Sequence, residues 1–481
     1  MKRISIIAAS SLISLPVVAG GLVTNTNQNA AFLRQLSQEA IIDITGLYMN
    51  PAGTAFLAPG SHFSFNIQNA KQSRDIETTF PLFALNTSNP NATHTFEGDA
   101  YAPVIPSIQW SHNWEKWSIN ANFALGGGGG KCEFDKGLGS FEALYAGTLA
   151  MLAPTKIVPA LNNAVEGNAG VNPNYKYEGY SLNSYMKGRQ YYFGLSVGAT
   201  YKMKDNLAIF AGLRGVYATN NYNGFIQDIH VYTKSQLPSP YYEALEQAGV
   251  AEYKYRVEGQ DISLNTDQTG FGITPIIGAD WKINEQWNVA FKYEFKTRLR
   301  LENESEMSDA AKAQIEQDPS SVLGQFKNGS KIAADIPAFF TAGVQYSPIS
   351  ALRLQAGYHW YGDKSATQYG NKQDNIDGNT WEITAGAEYD ICKLITLSAG
   401  WQTTQYDLND KYMNDLSFTT SSHNIGFGAR VNVSEHWCID LGYMHTFYED
   451  REVKTPTAAG EKIDVYSRTN RVFGIGINHT F

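Results

Sequence analysis

The residue types that carry out catalysis are present in this chain, but their spacing does not assemble them. The nine histidines, His62, His94, His112, His230, His359, His423, His436, His445 and His479, run from one end of the sequence to the other. A hydrolytic centre needs a Ser or Asp nucleophile with a His and a third partner on neighbouring elements. No such grouping occurs, and several histidines fall on the apolar face of the alternating segments described below, so an enzyme is not expected. The three cysteines, Cys132, Cys392 and Cys438, lack metal-ligand spacing, and neither a metal nor any other cofactor is expected. Their odd number leaves two readings, a Cys392–Cys438 disulfide or three buried or lipid-facing thiols. A net charge of −9 and a pI near 5.5 argue against a nucleic-acid partner, which would want a basic face.

The chemistry that remains is that of passage and binding, and three stretches carry it. In Thr45–Gly53, Asn50-Pro51-Ala52-Gly53 predicts a compact turn: Pro51 lacks a donor and biases Asn50 away from helix, and Gly53 admits backbone angles other residues avoid. Alone it reads as a loop into a first strand. The run Gly126-Gly127-Gly128-Gly129-Gly130 either bends a strand or starts a flexible loop. From Phe141 to Leu152, helical spacing puts Phe141, Leu144, Tyr145, Leu149 and Leu152 on one greasy face. That face either packs on the rim of a larger structure or lines a ligand vestibule, since exposed apolar patches mark binding sites.

The elements that must position these stretches are strands. Lys2-Arg3 followed by the apolar run Ile4–Val18 and Ala19 has the layout of a secretory signal peptide, so residues 1–19 are set aside. No later apolar stretch approaches the ~18–20 residues of a spanning helix. Aromatics make up 13% and charged residues 17%, with 43 glycines, which suits a barrel showing its outside to lipid. Period-2 alternation recurs. Trp437, Ile439, Leu441, Tyr443, His445 and Phe447 oppose Cys438, Asp440, Gly442, Met444 and Thr446, and Trp287, Val289, Phe291, Tyr293 and Phe295 oppose Asn288, Lys292, Glu294 and Lys296.

About fourteen strands are expected, near 61–70, 99–112, 117–127, 186–203, 206–226, 262–283, 286–301, 331–346, 350–362, 379–391, 394–408, 420–433, 436–449 and 466–481. They are long for a globular protein, carry aromatics at their ends and alternate tight turns with long polar loops. The fold expected is therefore all-β, a transmembrane antiparallel β-barrel of about fourteen strands in the outer membrane of a Gram-negative bacterium, ending on the aromatic Phe481. Two later loops, Tyr241–Ala248 and Ser308–Gln317, read as solvated helices.

The chain resembles the long-chain fatty-acid and aromatic-hydrocarbon outer-membrane transporter family, FadL- and TodX-like. The residues that carry this are Gly46–Gly53 before the first strand, Tyr101-Ala-Pro-Val-Ile-Pro-Ser107, Trp117 through the glycine run to Glu133-Phe134, Gly270-Phe-Gly-Ile with Ala290-Phe-Lys-Tyr, and Phe473–Phe481. The resemblance implies a monomer with an N-terminal hatch, residues 20–59, plugging a barrel of residues 60–481. It also implies capture of a hydrophobic ligand among the loops, passage gated by Asn50–Gly53, and sideways release into outer-membrane lipid where Gly126–Gly130 kink the third strand. Phe141, Leu144, Tyr145, Leu149 and Leu152 then fall among the loops that capture the ligand.

Passive uptake of long-chain fatty acids or neutral hydrocarbons is thus the expected function. The chain departs from the family after Val216-Tyr217-Ala218, where Thr219–Gly224 supplies no basic residue to meet a carboxylate. Lys364 could contact a ligand charge; Lys292 and Lys296 could instead form a lumen ion-pair network with Glu294. The rival reading is a non-transporting barrel, an adhesin or a general porin.

Overall fold

The computed structural model describes residues 22–319 and 321–481. The expected signal segment lies outside them.

One closed antiparallel sheet of fourteen staves forms the molecule. The first to sixth are Gly60–Thr79, Thr93–Asn113, Trp117–Phe134, Tyr175–Lys204, Leu207–Ser235 and Ile262–Lys282. The seventh is interrupted, as Trp287–Glu294 and Arg300–Met307, and so is the eighth, as Lys331–Ala333 and Phe339–Ile349. The ninth to fourteenth are Leu352–Tyr361, Ile376–Asp390, Ile395–Leu408, Ser422–Asn432, Trp437–Tyr448 and Gly460–Thr480. The first pairs with the last from His62–Thr480 to Thr79–Ile463, which removes any free edge.

The barrel is inside out relative to a soluble protein. Phe291, Leu441, Phe473 and Ile475 face outward and exposed, while Lys292, Asp440, Asn470 and Asn478 are buried in the lumen. Without water in a bilayer, a polar group has to turn inward, so period-2 alternation places one set in lipid and the other in the lumen. Trp281, Trp287, Tyr389 and Trp437 are exposed near the tight-turn end, and Trp287 stacks on Tyr346 at 4.2 Å, as an interfacial girdle requires.

Several strands run further than their alternation suggested. The fourth and fifth begin and end at Tyr175 and Ser235, and the first reaches Thr79. Polar residues in these extensions weaken the apolar signal, yet ladder hydrogen bonds continue through them. The helix opening at Gly139 also exceeds expectation. As Gly139–Leu152, Ala153–Ile157 and Val158–Ala169 it forms a continuous helical rod that is long and apolar enough, by length and composition, to cross a membrane. Half of its apolar window is buried within the protein: Tyr145, Leu149 and Ile157 join Phe83, Phe96, Phe134, Tyr180 and Phe418 in one apolar cluster. Glu142 anchors it by accepting from Asn86 Nδ2 (2.7 Å), Tyr180 OH (3.0 Å) and His94 Nδ1 (2.9 Å). The loop helices Tyr241–Gln247 and Asp309–Gln317 are present. Cys132, Cys392 and Cys438 are free, so the disulfide alternative is not realised.

Residues 22–57 lie inside the barrel as a helix, Ala30–Arg34, and two 3-10 turns, Ile44–Gly46 and Pro51–Phe56. Their bed is a patch of inward glycines on the eighth to fourteenth strands. A Cβ on Gly343 or Gly357 would strike Glu39, on Gly386 Gln35, on Gly400 or Gly426 Leu36, on Gly428 Arg34, on Gly442 Ala30 and on Gly474 Leu33. These glycines sit opposite one another in the ladder, Gly343–Gly357, Gly386–Gly400–Gly426 and Gly428–Gly442–Gly474. The wall has been cut back to backbone where the segment docks.

Candidate functional site: a break in the wall beside a luminal cavity

The second and third strands pair from Gly98–Phe134 to Ala100–Cys132, separate, and resume at Ile108–Phe123. Both sides of this break have a local cause. On the second strand, Pro103 and Pro106 each remove a donor that a ladder would need. On the third, Gly128 (φ 70°) and Gly130 (φ 154°) adopt backbone conformations that side-chain-bearing residues rarely tolerate. The third strand keeps its contact with the fourth only through irregularities at Leu125/Gly127 and Gly128/Gly130. Tyr101, Pro103, Val104 and Pro106 are exposed at the opening, whereas Ala124, Leu125, Gly127 and Gly128 are buried. The third strand therefore bends inward while the second stays in the wall.

What the bent strand meets is the beginning of the plug. Asn25 donates from its backbone N to Gly126 O (2.9 Å) and from Nδ2 to Leu125 O (3.2 Å), Thr24 bridges Gly127, and Asn122 Nδ2 donates to Gln28 Oε1 (3.0 Å). The carbonyls that the second strand leaves unpaired are thus partly satisfied from inside, as buried backbone groups require.

Further along, the segment is held by charge. Arg34 reaches Glu388 (2.5 Å) and Asp440 (2.8 Å), and Arg430 joins Asp440 to Asp43. His359 faces Glu39 (2.5 Å) with one ring nitrogen and Glu382 (2.7 Å) with the other. Lys292 donates to Glu294 (2.9 Å) and Tyr48 O (2.6 Å), and Arg214 pairs with Glu294. Lys292 and Glu294 accordingly form the expected lumen network, whereas Lys296 is partly exposed and donates to Ser365 O (2.7 Å).

A cavity of about 70 Å³ adjoins the kink. Val23 of the plug and Gly128 of the third strand close one side, Tyr192, Tyr222 and Asn220 another, and Phe326, Gln368, Tyr369 and Tyr412 of the loops cover it. A larger cavity of about 460 Å³ lies among the loops, between Leu144, Tyr145 and Thr148 of the apolar helix and Gln260, Asp261, Ser308 and Asp309. Behind Tyr412, Lys372 lies 4.1 Å over the ring and bonds Ser417. Burial, and then the neighbouring Arg74 charge, push its ammonium down to about 7.

Of the residues singled out from sequence, Gly126, Gly127, Gly128 and Gly130 stand at the break. Gly129 lies in the same strand. Asn50, Pro51, Ala52 and Gly53 lie elsewhere, at the tight-turn end: Asn50 caps its turn by accepting from Gly53 N (3.0 Å), donates to Asp280, and Pro51 O accepts from Thr200 Oγ1 (3.0 Å). Tyr145, Leu149 and Leu152 are buried, with Phe141 and Leu144 half-buried against the same cluster, so this face mostly packs and only Leu144 and Tyr145 border the loop cavity. Lys364 is in a surface turn, donating to Asp377 O (2.8 Å), and lines neither cavity.

The residues that sequence reasoning passed over are Val23–Gln28. Their signal was the uncharged polar run Thr24-Asn-Thr-Asn-Gln-Asn29, most of it buried. Chains able to satisfy carbonyls without carrying charge suit an enclosed site.

The family model described as the outer membrane protein beta-barrel domain matches residues 308–481. No curated protein matches the chain. Among solved structures, a FadL homologue from Pseudomonas aeruginosa is 16% identical, with 96% of this chain and 100% of that chain covered at a TM-score of 0.64. The TodX deltaS2S3 mutant monoaromatic hydrocarbon channel is 13% identical, covering 94% and 99%, with a TM-score of 0.54, and the P. putida toluene transporter TodX is 14% identical, covering 90% and 92%, at 0.50. The chain is an outer-membrane β-barrel with the FadL- and TodX-like fold.

Proposed function

We infer that the protein is a passive outer-membrane channel for hydrophobic small molecules, which are collected among the loops, held in the luminal cavity and released sideways into lipid through the break between the second and third strands. One observation carries this reading: the wall opens from Ala100–Cys132 to Ile108–Phe123 beside a cavity lined by Gly128 of the inward-bent strand. Apolar molecules partition readily into lipid and poorly cross water, so a protein that bypasses the polar surface and opens to the side needs no energy source. The named solved structures include a toluene transporter and a monoaromatic hydrocarbon channel, which supports the same class of cargo here. On this reading residues 22–57 act as the hatch and Asn50–Gly53 as its floor. The general-porin alternative fits poorly with a lumen filled by that segment, and no loop feature among the described residues favours an adhesin.

The test is a staple across the break. A Cβ on Gly130 would lie 3.8 Å from that of Ala102, a disulfide separation. Ala102→Cys with Gly130→Cys, in a background where Cys132, Cys392 and Cys438 are Ser, should lose uptake of alkylbenzenes into cells when oxidised and regain it on reduction. The reduced form controls for strain at Gly130. Undiminished uptake by the oxidised, fully crosslinked protein rejects lateral release.

A further inference from the structure

Four inward amides stand side by side on the fourth to seventh strands. Gln190 is opposite Asn220, Asn220 opposite Gln268, and Gln268 opposite Asn303. From Asn220 onward they form a directed chain: Asn220 Nδ2 donates to Gln268 Oε1 (3.2 Å), Gln268 Nε2 donates to Asn303 Oδ1 (2.9 Å), and Asn303 Nδ2 donates to the backbone carbonyl of Gln325 (2.6 Å). A carbonyl can only accept, so the last link fixes which way every amide in the chain points. The consequence appears at the other end. Asn220 is 1% exposed, lines the cavity, and its Oδ1 has no hydrogen-bond partner.

An acceptor buried without a donor costs about 1–3 kcal/mol, and only a donor can relieve it. Beside it, the Tyr222 hydroxyl accepts from Gln190 Nε2 and so has its own proton to give. The rest of the lining sets Gln190, Gln268, Gln325 and Gln368 among aromatic and aliphatic side chains: Tyr222 packs on Phe326 with ring centroids 5.2 Å apart, and Leu301 and Ile332 complete that side. Among the described residues the one charged side chain in the lining is Asp335, which Arg300 (2.5 Å) holds from outside the lining. A carboxylate entering here would meet a like charge and no cation of the lining. At about 70 Å³ the cavity has room for roughly two waters' share of liquid, which suits a ligand's polar head more than a long chain.

We propose that this cavity selects a neutral, mainly apolar ligand bearing a hydroxyl, an alcohol or phenol whose O–H donates to Asn220 Oδ1, in preference to a bare hydrocarbon or a carboxylate. This rests on the channel reading and names the cargo it favours.

Three probes of matched size settle it by isothermal titration on the detergent-purified full chain: 4-propylphenol, propylbenzene and 4-propylbenzoate. 4-Propylphenol should bind roughly tenfold or more tighter than either of the others, the loss expected when a buried polar partner goes unmatched. Asn220→Leu should bring 4-propylphenol down to the level of propylbenzene and leave propylbenzene unchanged, and Asn220→Asp, which keeps an acceptor, should retain the preference. If the leucine variant fails to fold, the aspartate variant and the three-probe ranking still decide. Equal binding of phenol and hydrocarbon, tightest binding of the benzoate, or no binding of any probe would each overturn the proposal. A separate vesicle-flux arm addresses the channel itself: selective phenol binding without flux keeps the ligand assignment and rejects transport, whereas flux of propylbenzene without hydroxyl preference does the reverse.

Discussion

Glycine does opposite work in two parts of the same wall. On the eighth to fourteenth strands, isolated glycines such as Gly357, Gly400 and Gly442 keep ordinary strand pairing with their neighbours and serve only by having no side chain, leaving room for the plug. On the third strand, Gly128 and Gly130 at positive φ leave the ladder to the second strand, and two prolines across from them prevent its repair. A ladder tolerates a missing side chain but not a missing donor or a left-handed turn. The sealed wall thus holds the plug, and the broken wall lets the plug's first residues replace a lost strand partner.

The comparison is broken most severely by filling the bed. Gly442→Leu places a side chain where Ala30 O and Leu33 lie, and should unseat the plug, raising single-channel conductance in planar bilayers from near background to large, long-lived openings. Arg34→Ala should move in the same direction, because buried Glu388 and Asp440 would each lose one of two arginine partners and keep only Arg353 and Arg430, at a cost of about 1–3 kcal/mol. A barrel that stays closed in both variants would mean that the glycine bed does not seat the plug.

A gentler change repairs the other wall. Pro103→Val with Pro106→Thr restores two donors, and the stretch facing them should gain hydrogen-exchange protection while uptake falls several-fold. Unaltered exchange would show that the glycines alone hold the break open. Asn50→Ala removes a cap and leaves Asp280 with Asn288 as its remaining amide partner, for a loss of roughly 1–3 kcal/mol in thermal stability with the channel still closed at room temperature. Smallest of all, Lys364→Ala should leave binding of a fatty-acid probe within error, since the Lys364 ammonium meets only the Asp377 carbonyl at the start of the tenth strand.

The barrel was legible because the alternation from Trp437 to Phe447 and its like, which a soluble sheet would share, came with strands of bilayer length, aromatics at their ends and tight turns alternating with long loops. The glycine run was legible as a choice between kink and loop, and the structure places it within a strand. Less was readable wherever function depends on partners distant in sequence. Gly386 and Gly428 announced a small inward face, but not that Gln35 and Arg34 fill the space above them. Asn220 looked like one more polar loop-strand residue until its register with Gln190 and Gln268 was known. The apolar face at Phe141–Leu152 signalled burial without saying against what. Strand ends were underestimated because they leave the bilayer and lose the hydrophobic contrast that marks them.

The seating of the plug has a consequence for the order of assembly. Arg34 is among the early residues of the chain to be made, yet its partner Asp440 lies 406 positions later, and the glycines beneath the Ala30–Arg34 helix belong to the final strands. Those docking contacts cannot form until the strands that carry them have been made. The seat of that helix is therefore complete only once the final strands are in place, whereas Asn25, Asn50 and Pro51 meet strands made much earlier.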